Sequence, residues 1–186
     1  MSPRFLKREP ALTSRKLSPR PSMPSITALL HTSNSGFHLG RSLETLHPCA
    51  EILIVDHQSH DETLRIAREY GARIVQSVVV PNPADVAPPH YLQFASSDWI
   101  LCLDPRESLS ESLAASLYEF KLSTLADSIR PRSVFLREEK TQGWIDLPTP
   151  ETRLIPKSWT RWQGSLPVQD STVDALEGRL LRFMDR

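Results

Sequence analysis

Asp98-Trp99-Ile100-Leu101-Cys102-Leu103-Asp104-Pro105-Arg106-Glu107 sets five consecutive apolar residues between two carboxylates. A short, uninterrupted apolar run of this kind suits a strand covered on both faces, the habit of a parallel sheet. In an open α/β sheet the ligand crevice lies outside the carboxyl ends of the strands, so Asp104, with Glu107 close behind, is expected to point into that crevice. A helix is expected next. Ser108-Leu109-Ser110-Glu111 has capping-box spacing, and Leu109, Leu113, Leu117 and Phe120 recur at helical intervals through about Ala126. The two acids would equally suit a plain turn into a helix N-terminus, where negative charge is favoured.

Upstream, the same signature recurs. Residues 25–34 begin as a buried strand and end in the small polar residues Thr32, Ser33 and Asn34. Leu39, Leu43 and Leu46 then fall on one helical face, and Pro48 stops the helix. Residues 51–56 form a second apolar run ending on a carboxylate, Asp56. Ser59 to Glu62 has capping-box spacing, opening a helix through Tyr70 that Gly71 closes, and residues 72–78 are strand-like. This β-α-β-α-β alternation calls for parallel strands joined by right-handed crossovers. Pro81, Pro83, Pro88 and Pro89 make residues 79–90 a loop, followed by a short helix from about His90 to Ser96.

Downstream of Ala126 the pattern loosens. Residues 133–137 and 143–147 are expected to be strands, antiparallel if paired, about the charged turn Glu138-Glu139-Lys140, with another strand at 152–156. Trp144, Trp159 and Trp162 lie here, positioned to cap the sheet or to line an acceptor groove; packing in the core is the simpler expectation. Val173, Leu176, Leu180 and Phe183 have helical spacing, so the final segment is expected to be a helix.

The totals bound the class. A chain of 186 residues can form one domain with a real core. Hydrophobic content of 39% and charged content of 24% suit a globular protein, and no apolar run approaches the roughly 20 residues that span a bilayer. The formal net charge is zero, which provides no general attraction to nucleic acid. That zero hides an asymmetry. Residues 1–24 carry Arg4, Lys7, Arg8, Arg15, Lys16 and Arg20 against Glu9 alone, among five prolines. Such a segment is expected to be a disordered, solvated basic tail, able at most to touch an anionic membrane surface or, without specificity, nucleic acid, ahead of a single domain over 25–186. It lacks the continuous apolar core of a secretory signal, so the expected location is cytoplasmic, including the inner face of the membrane. Cys49 and Cys102 sit in no paired ligand spacing and are expected to be reduced thiols.

Three strand ends, at Thr32-Ser33-Asn34, Asp56 and Asp104, place hydrogen-bonding groups and carboxylates in an order that suits a nucleotide site. Here the chain resembles a known family. Residues 25–34 resemble the opening strand and Thr-x-Asn turn of family 2 glycosyltransferases, which have the GT-A fold. Residues 55–63 resemble their V-D-x-x-S-x-D-x-T segment, residues 67–75 their A-x-x-Y-G-A-x-x-V stretch, and residues 95–104 their A-x-G-D-W-I-L-x-L-D-A-D-E strand. Arg153-Leu154 and residues 162–168 are similar to the later R-L-F and W-x-G-x-V-H-E elements, and the nearest branch adds sugars to bacterial lipopolysaccharide core. The resemblance implies an α/β GT-A domain, compact or truncated, with a Rossmann-like sheet carrying helices on both faces. It implies that Thr32, Asn34, Asp56, Asp61 and Asp104 border a nucleotide-sugar pocket, where Arg106, a departure from the family pattern, is expected to pair with the diphosphate. Asp104 would stand at the first acidic position of a D-x-D metal motif for Mg²⁺ or Mn²⁺, with Glu107 as a further ligand. The reaction implied is transfer of a sugar, with inversion, from a nucleotide-diphosphate donor to a saccharide or lipid-linked acceptor, a base deprotonating the acceptor hydroxyl. Glu151 and Asp170 are the base candidates by position.

The departures are concentrated at the site. The second D-x-D acid is replaced by Arg106 and its middle residue by Pro105, Ser35 stands where an acid usually follows the Thr-x-Asn turn, and Gln169-Asp170 replaces H-E. Arg106 removes a ligand and puts a positive charge beside the metal position, so a donor site needing no metal is the alternative to a metal-bound one. Likewise the alternative to an active enzyme is a catalytically inactive GT-A-like protein that binds a nucleotide sugar, a glycan or a partner enzyme.

Overall fold

The computed structural model describes residues 23–77, 89–123 and 130–184. The basic tail, most of the proline-rich loop and the expected helix end near Ala126 lie outside the described residues. Four parallel strands, β1 (Ile26–Thr32), β2 (Glu51–Asp56), β3 (Arg73–Gln76) and β4 (Trp99–Leu103), stand in the order β3-β2-β1-β4. Thr32 pairs with Asp56 and Leu30 with Leu103, so these strands end at one rim. All five residues of β4 are buried, as an apolar run covered on both faces requires.

Side chains alternate between the faces, and each face has its own cover. Ala28, Leu30, Ile54, Leu101 and Leu103 pack beneath α1 (Gly36–Glu44), α2 (Thr63–Glu69) and α4 (Glu111–Leu122) through Leu39, Leu43, Ala67, Leu113, Leu117 and Phe120. On the other face Leu29, Leu53, Val55, Ile100 and Cys102 meet Tyr91 and Leu92 of the single-turn α3 (Pro89–Leu92). Trp159, Trp162 and Leu166 pack there too, in and around the two-stranded sheet of β9 (Trp162–Gln163) and β10 (Leu166–Pro167). Fully burying each such aliphatic side chain contributes about 1.5–3 kcal/mol.

Beyond β4 the sheet becomes mixed. β8 (Glu151–Pro156) pairs antiparallel with β4, and β6 (Arg132–Lys140) antiparallel with β8. β11 (Ala175–Arg182) runs parallel to β6, β5 (Glu107–Leu109) antiparallel to β11, and β7 (Gly143–Asp146) hairpins onto β6. Among the described residues nine strands thus form one sheet.

Several expectations are corrected. The final segment is the strand β11, not a helix: Leu176, Gly178, Leu180 and Arg182 alternate with more exposed neighbours in its early part, and Leu180 is fully buried. Gly178 has φ +92°, and a Cβ there would lie 2.2 Å from the backbone nitrogen of Leu113, so α4 rests directly on this strand. Ser110, not Ser108, caps α4, its Oγ accepting from the Leu113 N–H at 3.2 Å, because residues 107–109 are taken up as β5. α2 starts at Thr63 with no cap from Ser59, whose hydroxyl is used elsewhere. The helix expected over 90–96 is one turn, and Glu138-Glu139-Lys140 ends β6 while residues 141–142 make the turn. Trp144, on the edge strand, is partly exposed rather than in the core, whereas Trp159 and Trp162 pack as expected.

Candidate functional site

The strand order reverses between β1 and β4, since β2 and β3 build away from β1 on its other side. At such a switch point the loops after the two strands part and leave a crevice. A cleft of about 570 Å³ lies there, lined by His31, Ser33, Asn34, Ser35, Phe37, His38, Asp104, Pro105 and Arg106. Of the residues singled out from sequence, Asn34, Asp104 and Arg106 meet in it. His31, Phe37 and His38 are additions. The last two open α1 directly behind the Thr-x-Asn turn, a position that could have marked them as rim residues, and the Phe37 ring is 75% exposed.

Asp56, Thr32 and Asp61 do not line the cleft; they shape it from behind. Asp56 is fully buried, and its carboxylate accepts from Thr32 Oγ1 at 3.0 Å, Ser59 Oγ at 2.5 Å and the Ser59 N–H at 3.0 Å. Ser59 Oγ in turn accepts the Asn34 N–H at 2.9 Å, and Asn34 Oδ1 accepts the His60 N–H at 2.8 Å. Asn34 holds φ +48°, a left-handed conformation that asparagine tolerates better than most residues. Thr63 Oγ1 accepts the Ser35 N–H at 2.8 Å, and Asp61 accepts the Gly36 N–H at 2.9 Å while also bonding Thr63. The V-D-x-x-S-x-D-x-T segment is therefore a clasp: the side chains of Asp56, Ser59, Asp61 and Thr63 each satisfy a backbone group or a partner that fixes the β1–α1 turn. Burial pushes the Asp56 carboxyl up, but the bonds from Ser59, Thr32 and Gln76 outweigh it and hold it below the usual carboxylate range. For Asp61 burial also acts upward, and the Thr63 and Gly36 bonds likewise outweigh it.

At the cleft floor, Asp104 is closed by its neighbour. Arg106 Nε donates to Asp104 Oδ1 at 2.9 Å, Nη2 to Oδ2 at 3.2 Å, and the Arg106 N–H to Oδ1 at 2.9 Å. Burial raises the Asp104 carboxyl, and these bonds with the guanidinium charge more than reverse it, leaving it below its ordinary value. Glu107 turns away from the cleft and is 0% exposed. Its Oε2 accepts the Asp104 N–H at 2.9 Å, and its Oε1 accepts from Arg153 at 2.9 Å and from Arg182 at 2.7 and 3.0 Å. Glu107 thus anchors the turn from below. His31, on the opposite wall, has Nδ1 3.0 Å from His57 Nε2; burial, with His57 adding to it, lowers its pKa to about 4.

The two base candidates lie off the cleft lining, each in an ion pair. Glu151 meets Arg153 at 2.7 Å. Asp170 bonds Thr172 and meets Arg161 at 2.8 Å, which together bring its pKa down to about 2. Among the described residues no group of three His, Cys, Asp or Glu side chains is placed to hold a metal ion, and no helix is long and apolar enough to cross a membrane. Cys49 and Cys102 are free thiols, each pushed up to about 12 by burial.

No family model matches the chain. An uncharacterised glycosyltransferase of Rickettsia felis is 30% identical over 93 residues, 49% of this chain and 32% of its own length. The match thus spans about a third of that relative. S. aureus TarS (residues 1–349) superposes with a TM-score of 0.51 at 17% identity, over 72% of this chain and 47% of that one. At that identity the likeness is one of fold. A Pyrobaculum calidifontis mannosyltransferase, solved with GDP-Man and Mn²⁺, gives 0.46 at 17% identity, over 60% of this chain and 35% of its own. Distant homology to the Rickettsia proteins and a mixed α/β sheet matching the GT-A fold make this a glycosyltransferase-like protein.

Proposed function

We propose that the cleft between β1 and β4 is a nucleotide-sugar pocket and that the chain belongs to a glycosyltransferase acting on a saccharide or lipid-linked acceptor. The observation that carries this reading is the position of the cleft: the strand order reverses there, and the groups converging on it are an amide, hydroxyls, a carboxylate and a guanidinium. Those groups suit a ribose and a diphosphate better than an apolar ligand. In the transfer, the acceptor oxygen attacks the anomeric carbon, the bond to the diphosphate breaks, and the hydroxyl proton passes to a base. The homology to glycosyltransferases supports the reaction class.

A second reading, binding without turnover, is favoured by one feature. Asp104 is tied to Arg106, and Glu151 and Asp170 are each tied to an arginine, so every acid nominated for metal or proton work already has a cationic partner. Calorimetric titration with UDP-, GDP- and CDP-sugars, followed by assay of transfer to oligosaccharide and lipid-linked acceptors, separates the two. Micromolar binding with transfer supports the enzyme, and the same binding without transfer or hydrolysis supports the second reading. Absence of binding by every nucleotide sugar would remove both.

A further inference from the structure

The GT-A resemblance implies a divalent metal at Asp104, and the residues present do not fit one. Mg²⁺ and Mn²⁺ are held by carboxylates together with phosphate oxygens. Here Asp104 has both oxygens bonded by Arg106, whose guanidinium is held against the carboxylate. A dication would have to displace that guanidinium or sit against its like charge. The next carboxylate along the chain cannot help, because Glu107 is fully buried with Oε2 on the Asp104 N–H and Oε1 shared by two arginines.

We infer that the cleft takes the diphosphate of a nucleotide without a divalent cation, the Arg106 guanidinium standing where the metal would be. This rests on the nucleotide-sugar reading of the cleft and deepens it. Among the described residues that line the cleft, Arg106 is the one arginine or lysine, and its side chain is 36% exposed. A guanidinium carries donors along more than one edge, so with Nε and Nη2 on Asp104 it still presents a positive charge and N–H groups suited to phosphate oxygens. Asp104 is then a positioning residue: it holds the guanidinium in place, while the Phe183 N–H on the Arg106 carbonyl, at 3.0 Å, fixes the backbone. The N-terminus of α1 is already met by the Asp61 carboxylate at Gly36, and His31 is uncharged near neutral pH.

The test is titration of the full chain with UDP, GDP and uridine, in EDTA and in Mn²⁺. Diphosphate affinity is expected to be the same within about twofold in the two buffers. Arg106→Ala is expected to weaken UDP or GDP about ten- to hundredfold while leaving uridine unchanged, the span expected of hydrogen bonds to a charged group. Arg106→Asp, which places a second acid in the metal motif, is expected to bind UDP only in Mn²⁺. Circular dichroism melts of the variants show that each is folded. Wild-type binding that disappears in EDTA and returns with Mn²⁺ would overturn this inference while leaving the nucleotide reading intact, as would full UDP affinity in folded Arg106→Ala. Failure of UDP, GDP and uridine alike, in both buffers, would remove the nucleotide reading and this inference with it.

Discussion

Asp56 shows how a residue can stand out in sequence while its bonding partners stay hidden there. A carboxylate ending a buried strand at the ligand rim is legible in sequence; its engagement by Thr32 and Ser59 is not, because the partner loops meet only after folding. Asn34, Asp104 and Arg106 reach the cleft as expected because each lies on the first turn after its strand. Asp56→Ala would leave the Ser59 N–H and the Thr32 hydroxyl without their buried acceptor and is expected to cost roughly 2–4 kcal/mol in urea unfolding. Its pH dependence has a definite sign. The folded-state pKa lies below the unfolded value of about 3.9, so the contribution is complete above that value and is lost as pH falls through the lowered folded value. Wild type should therefore lose stability on acidification below about pH 4 by more than Asp56→Asn does. Gly36 makes the neighbouring case. A Cβ there would lie 2.9 Å from Asp61 Oδ2 and 3.2 Å from the Thr63 nitrogen, so Gly36→Ala is expected to cost about 1–3 kcal/mol by forcing the clasp apart.

Among the elements, β11 is the longest that sequence misassigns. Val173, Leu176, Leu180 and Phe183 satisfy a helical period, yet Leu176, Gly178, Leu180 and Arg182 satisfy a period of two equally well over so short a run. Tertiary contact breaks the tie: β6 and β5 offer backbone partners on both sides, and α4 needs a residue with no side chain at position 178. Gly178→Ala meets backbone, which cannot rotate away, and is expected to unfold the chain or lower its melting point by more than 10 °C. The buried ion pairs under the Asp104 turn belong to the same scale. Removing Glu107 would leave the fully buried Arg153 to Glu151 and Arg182 to Glu138 and Glu151, and Glu107→Ala is expected to cost about 1–3 kcal/mol. β1, β2 and β4 are read most directly, as short apolar runs bounded by polar residues, and β3, β6, β7 and β8 also stand where strands are expected.

Over the whole molecule, the first half follows the βαβ logic visible in sequence, while the mixed half depends on pairings between distant segments that no local pattern encodes. β1 and β4 are each hydrogen-bonded on both sides, whereas β7 is an edge strand with every residue exposed. Hydrogen exchange is therefore expected to be slowest at Leu29 and Leu101 and fast from Trp144 to Asp146, with protection factors differing by several orders of magnitude. The insertion of β11 between β6 and β5 also has a temporal consequence. Glu107 receives Arg182 from 75 positions further along the chain, so the floor beneath Asp104 and Arg106 stays unfinished until that residue has left the ribosome. At about 5–20 residues per second the delay is on the order of 4–15 s. A nascent chain arrested before Arg182 emerges should already protect β1, β2 and β4 from protease while its Asp104 corner remains open to cleavage.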